Sequence, residues 1–194
     1  YALRTLIDEL TLQPVVIRDG EPAEIEPMSD GGTVEFGDPI GDAEAIYTLH
    51  SEMLTFGDSF GCREASFRLS LAPALLARLR ELAGASPEEI DRAAAEAAPP
   101  SSNTVSVHLV EASGSGRSVR VRSVSRPVEW HGFGGGVTST AAPAAATVRL
   151  LARGSIEERG VRPPESCIEP GALFAELEQR GSRFDVQVTE EART

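Results

Sequence analysis

Two hydrophobic periods alternate along the chain, one of two residues and one near 3.6, and the switches between them outline its elements. In "TLQPVVIRDGEP" the run Val15-Val16-Ile17 stops at Asp19-Gly20, a dipeptide suited to a tight turn, so a hairpin is expected there. Tyr1 to Leu10 reads as the close of a helix or as a loop. Residues 21–42, rich in Glu, Pro, Gly and Asp, carry no helical period and are expected to form a long surface loop or an ordered lid. "AIYTLHSE" has strand character, and "ASFRLSLA" alternates, with Ala65, Phe67 and Leu69 on one side and Ser66, Arg68 and Ser70 on the other.

Helical spacing then takes over. "LAPALLARLRELAG" sets Leu75, Leu76, Leu79 and Leu82 on one face and stops at Gly84. "SPEEIDRAAAEAAPP" opens with Ser86 as N-cap, Pro87 at the first helical position and Glu89 completing a capping box, and ends before Pro99. Alternation returns at Val105, Val107 and Leu109, and after "SGSG" at Val119 and Val121 against Arg120 and Arg122, which predicts an antiparallel hairpin. An alanine-rich helix is expected from Thr140 to Leu151, ending at Gly154. The last elements are an amphipathic helix through Leu173, Phe174 and Leu177 with Gly181 as its stop, then a strand through Phe184, Val186 and Val188, with a frayed tail after Thr189. Antiparallel runs interrupted by helix pairs define an α+β fold: a mixed, largely antiparallel sheet with helices packed on one face, over a single domain spanning 1–194.

Composition narrows the partners. The 194 residues carry a net charge of −12, and all 18 basic residues are arginine. Such a surface repels phosphate backbones, so neither nucleic acid nor an anionic membrane is an expected partner. No apolar run approaches the roughly 20 residues of a spanning helix. The two cysteines, Cys62 and Cys167, form no C-x-x-C pair and suit a reducing cytoplasm. The three histidines and two cysteines show no metal-ligand spacing, and no G-x-S-x-G marks a hydrolase.

"EWHGFGGGVTSTAAPAAATVRLLARG" places a glycine burst between a strand end and a helix, the order in which many proteins hold a dinucleotide. The fingerprint G-x-G-x-x-G/A is not met, since Val137 follows Gly132 and Gly134 where a third small residue belongs, and Ser139 follows Gly134 and Gly136. Candidate chemistry lies elsewhere. His50, Ser51 and Glu52 bring an imidazole, a hydroxyl and a carboxylate to a strand end, a set able to take a proton from a substrate amine; the plainer alternative pairs Glu52 with Arg63 or Arg68. Arg63 is also a candidate for holding substrate. Thr138, Ser139 and Thr140 can bind a substrate carboxylate through hydroxyls and free amides at a helix start, or serve as ordinary caps. Trp130 is a candidate pocket wall or a core residue. Pro163-Pro164-Glu165 is expected to fix a turn and cap the last helix, and Arg120, Arg122 and Arg126 to form a basic, mainly solvated strand face.

The segment from Gly132 to Val188, with Gly154, Ile156, Gly160-Val161 and Pro163-Pro164-Glu165, resembles the C-terminal region of the saccharopine dehydrogenase-like family, and "YTLHSEMLTFGDSFG" at 47–61 resembles an earlier part of the same substrate domain. The resemblance implies an NAD(P)-dependent oxidoreductase acting on an amino acid or an amino-acid-derived secondary amine. It also implies that NAD or NADP sits on a Rossmann domain upstream of Tyr1, while this region supplies the substrate pocket and a homodimer interface. The chain is then expected to be a piece of a longer polypeptide and inactive alone. An Arg-containing "TLRY"-like segment of several family members has no clear copy here. The alternative is a noncatalytic small-molecule-binding or assembly module of the same fold.

Overall fold

The computed structural model describes residues 3–97, 101–129 and 132–190. Its α-helices and antiparallel strands make an α+β fold. Two compact units are distinguished within the span read above as one domain: the first comprises Tyr1–Glu35 and Asp42–Pro99, the second Phe36–Gly41 and Pro100–Thr194.

In the first unit, α1 (Leu3–Thr11) resolves the ambiguous N-terminal stretch as helix, burying Leu6, Ile7 and Leu10. The hairpin β1 (Val15–Arg18) and β2 (Glu21–Glu24) turns where expected, with positive φ at both Asp19 (53°) and Gly20 (88°). A correction follows for 21–42: instead of one loop it contributes β2, β3 (Asp30–Glu35) and the start of β4 (Asp42–Tyr47). The glycine at position 31 that argues against a strand is what the strand needs. A Cβ there would lie 3.0 Å from the Ala45 carbonyl oxygen of the neighbouring β4.

Helix α2 (Met53–Phe60) was not anticipated and ends on Gly61 in the left-handed region. The expected strand over 65–69 pairs only at β5 (Arg68–Leu69), with Ala65 bridging singly to Ile17. Helices α3 (Pro73–Leu82) and α4 (Pro87–Glu96) stand as expected, and the capping box is complete: Glu89 N–H donates to Ser86 Oγ at 3.3 Å and Ser86 N–H to Glu89 Oε2 at 2.8 Å. Leu6, Ile7, Leu10, Ile46, Leu79 and Leu82 form this unit's core.

In the second unit, β6 (Ser106–Gly114) and β7 (Arg117–Ser125) form the expected hairpin, turning through Ser115-Gly116, and β8 (Ser182–Glu190) adds to β7. Helix α5 (Gly135–Ala152) begins five residues earlier than Thr140, so Gly135 and Gly136, expected to lead into the helix, lie in its first turn. The short α6 (Pro164–Cys167) and α7 (Pro170–Glu178) follow. The cap on α7 is Glu169, not Glu165: its carboxylate accepts from the Gly171 and Ala172 amides at 2.9 and 2.6 Å. Ala142 and Ala146 of α5 pack against Leu177 of α7, with Leu173, Phe174 and Phe184 around them. Small residues on α5 bring α7 close, so the buried surface is supplied by the larger side chains opposite.

Among the described residues the strands are thus distributed over three antiparallel sheets, ordered β1-β2, β3-β4-β5 and β6-β7-β8, instead of one mixed sheet.

Candidate functional site

The chain leaves β4 at Tyr47, passes buried Thr48, and is tied to α1 where the Leu49 amide donates to the Glu9 carbonyl at 3.0 Å. It then turns into α2. The His50 carbonyl accepts from Met53 N–H and the Ser51 carbonyl from Leu54 N–H, so residues 50–52 stand at the helix entry with Glu52 as N-cap residue. Their side chains converge. His50 Nδ1 is hydrogen-bonded to Glu52 Oε2, and Ser51 Oγ lies 3.5 Å from the same oxygen. The imidazole stacks on Phe67, with ring centroids 3.8 Å apart and planes at 27°.

The contact of Nδ1 with an ionised Glu52 carboxylate favours the tautomer that carries its proton on Nδ1. With Nδ1–H donated to Glu52, Nε2 carries the lone pair and is the atom free to accept a proton. The His50 contact holds the Glu52 carboxyl below the ordinary 4.5; partial burial pushes the other way and loses. A carboxylate that stays ionised fixes the ring and stabilises an imidazolium once it forms. His50 and Glu52 side chains are 37% and 45% exposed, so solvent or a ligand reaches both.

Neither alternative partner of Glu52 is realised. Arg63 NH2 donates to Asp19 Oδ1 at 2.9 Å on the surface of the β1–β2 turn, and Arg68 NH1 donates to the Gly31 carbonyl at 2.8 Å. The structure therefore joins His50, Ser51 and Glu52 and gives Arg63 to Asp19. Phe67 was read above only as one face of a strand, and its ring contact with His50 carries no local sequence signal.

Thr138, Ser139 and Thr140 belong to the second unit. The Ser139 and Thr140 hydroxyls turn back on their own helix, both donating to the Gly136 carbonyl at 3.1 Å. Thr138 is buried and its Oγ1 has no hydrogen-bond partner among the described residues. Two amides at the start of α5 are already taken: Gly135 N–H donates to the Thr104 carbonyl at 2.6 Å, and Gly136 N–H to Thr104 Oγ1 at 3.3 Å. These two donors are turned to Thr104, not to an anion. The glycines have a packing reason instead, since a Cβ on Gly135 would collide with the Ser125 carbonyl at the end of β7 and one on Gly134 would crowd Thr104. The residues at this turn do not fit a dinucleotide phosphate. Trp130 lies outside the described residues.

Of the basic face, Arg122 is half-buried and held by backbone: its Nε donates to the Phe36 carbonyl at 2.6 Å and its NH2 to the Asp38 carbonyl, while Arg120 faces Glu111 and Arg126 faces Asp38. A cleft of about 380 Å³ is lined by Ser155, Glu157, Glu158, Glu165, Ser166 and Glu169 among others, none of them a predicted site residue. The cleft is open to solvent and lined mainly by carboxylates and hydroxyls, whereas residues 50–52 set an imidazole against a carboxylate. Among the described residues no cluster of side chains suits a metal ion, and no helix is long and apolar enough to cross a membrane. No protein-family model matches the chain, and no curated protein matches it.

Proposed function

We propose that the chain is the substrate-binding and dimerisation part of an NAD(P)-dependent, saccharopine dehydrogenase-like oxidoreductase of the cytoplasm, acting on an amino acid or an amino-acid-derived secondary amine. The observation that supports it is the His50–Glu52 pair: a half-exposed imidazole, oriented by a carboxylate and stacked on Phe67, with Nε2 free. Its task in this reading is to take the proton of the substrate ammonium at Nε2, with Glu52 stabilising the imidazolium. Both cysteines are free thiols, in keeping with a reducing compartment. In this reading NAD or NADP is held by a part of the polypeptide outside 1–194, as the family resemblance implies, and no step is drawn through it.

The test uses the polypeptide that carries this chain, supplied with NAD or NADP and with lysine, saccharopine or related secondary amines. His50→Gln is expected to lower turnover by about 10²–10⁴-fold, the usual worth of a positioned acid–base group, without lowering the melting temperature. Unchanged turnover removes His50 from the chemistry.

A second reading, a noncatalytic assembly module, is favoured by one surface. Across the β6-β7-β8 sheet Val110, Val121 and Val186 stand in register, and so do Ala112, Val119 and Val188. Val110 and Val186 are more than half exposed and Val188 nearly so. Two uncharged rows on an acidic chain suit contact with a second copy, whose remaining surface repels its own. A dimer lost on Val186→Lys, with turnover absent from the parent polypeptide on every amine tried, selects this reading.

A further inference from the structure

Glu176 of α7 gathers three guanidinium groups. Arg149 Nε donates to its Oε2 at 3.0 Å, Arg180 NH1 to the same oxygen at 2.8 Å, and Arg153 NH1 to Oε1. The Glu176 side chain is 4% exposed and that of Arg180 19%, whereas Arg149 and Arg153 are 49% and 52% exposed. Two of these arginines therefore hold a buried carboxylate with one edge and face solvent with the other. Each guanidinium has five N–H donors in a planar fork. The terminal nitrogens of Arg149, and Nε and NH2 of Arg153, make no hydrogen bond to the described residues.

The charges do not cancel. Three guanidiniums and one carboxylate leave an excess of +2, and among the described residues no other carboxylate forms a salt bridge with any of the three. Arg149 and Arg153 stand at the C-terminal end of α5, whose dipole offsets roughly half a charge. About 1.5 positive charges remain, on a chain whose net charge is −12, so the excess is local and not a general basic bias. Four residues apart on one helix, the two forks lie roughly 5–6 Å apart at Cβ, close enough to share one ligand atom group.

We propose that Arg149 and Arg153, positioned by Glu176, bind a dianionic phosphoryl group of the kind a phosphate monoester presents. A phosphate monoester carries about −1.5 to −2 at neutral pH and offers three acceptor oxygens to the two forks. A carboxylate brings one charge and two oxygens and leaves part of the excess uncompensated. Glu176 touches no ligand here; it is a positioning residue. The inference stands on the second unit's own geometry and does not rest on the role given to His50.

The test is calorimetric titration of the chain with inorganic phosphate at constant ionic strength, with Arg149→Gln, Arg153→Gln and, as control, Arg126→Gln, each checked by circular dichroism. Saturable binding is expected for the native chain and for Arg126→Gln. Each of the other two variants should bind about tenfold or more weakly, the worth of one lost charge-assisted hydrogen bond. Lowering the pH from 7.5 to 5 should weaken phosphate, which gains its second proton within that interval, and leave sulfate unchanged. No saturation beyond that of chloride, equal loss in Arg126→Gln, or full affinity in both Arg149→Gln and Arg153→Gln overturns the proposal.

Discussion

Two carboxylates, one in each unit, are both held below their ordinary titration range, and they differ in nearly everything else. Glu52 is half exposed, sits at a helix entry, and leans on one imidazole two residues away. Glu176 is buried inside its unit and is held there against the strong opposing effect of burial by Arg180, Arg153 and Arg149. A lowered carboxyl alone does not mark chemistry. What separates the two is which partner is left with a free, reachable proton site: His50 Nε2 beside Glu52, and only permanently charged guanidiniums beside Glu176. Glu52 thus suits proton transfer, whereas Glu176 suits fixing charge in place.

The comparison breaks most readily at Glu176. Replacing it with Ala leaves Arg180 largely buried and three guanidiniums without a counter-charge, so it should give the largest loss of thermal stability among these substitutions; a melting curve like the native one would show that the cluster does not hold the unit. Leu177→Ala, one residue on, tests ordinary packing in the same place and should lose about 2–5 kcal/mol in chemical denaturation. Ser86→Ala, far from both carboxylates, removes one half of a complete capping box and calibrates the scale at about 1 kcal/mol. Glu52→Gln should change stability by no more than about 0.5 kcal/mol, while lowering turnover of the parent polypeptide; the reverse pattern would exchange the two roles.

Acid sharpens the contrast further. Both groups are lowered in the folded chain, so each contributes stability that is present above the unfolded value of 4.5 and is lost as pH falls through the lower folded value. Stability followed below pH 4.5 should fall in the native chain and fall less steeply in Glu176→Gln. Glu52→Gln should flatten that profile only slightly, since its carboxyl is partly screened by water.

What the sequence shows of this molecule follows the range of the forces involved. The Ser86 capping box, the Asp19-Gly20 turn and the alternation of β6 and β7 are set by neighbours within a few residues, and all are legible. His50-Ser51-Glu52 is legible for the same reason. Helix α2 is not, because Leu54 and Phe60 stay more than half exposed and blur the amphipathic pattern by which a helix is recognised. Glycine at 31 and 135 reads as loop, yet each marks a place where another strand or its carbonyl passes within contact distance, a tertiary fact without local trace. The Glu176 cluster joins α5 and α7 across 23 to 27 residues, and only the four-residue spacing of Arg149–Arg153 and of Glu176–Arg180 hints at it.

The most direct test of the role given to His50 is to follow its ring protons by NMR, assigned through His50→Gln, while the chain is titrated with saccharopine and, separately, with lysine. The account predicts a saturable change at His50 that weakens in Glu52→Gln at unchanged melting temperature. A ring signal indifferent to every amine offered would contradict it.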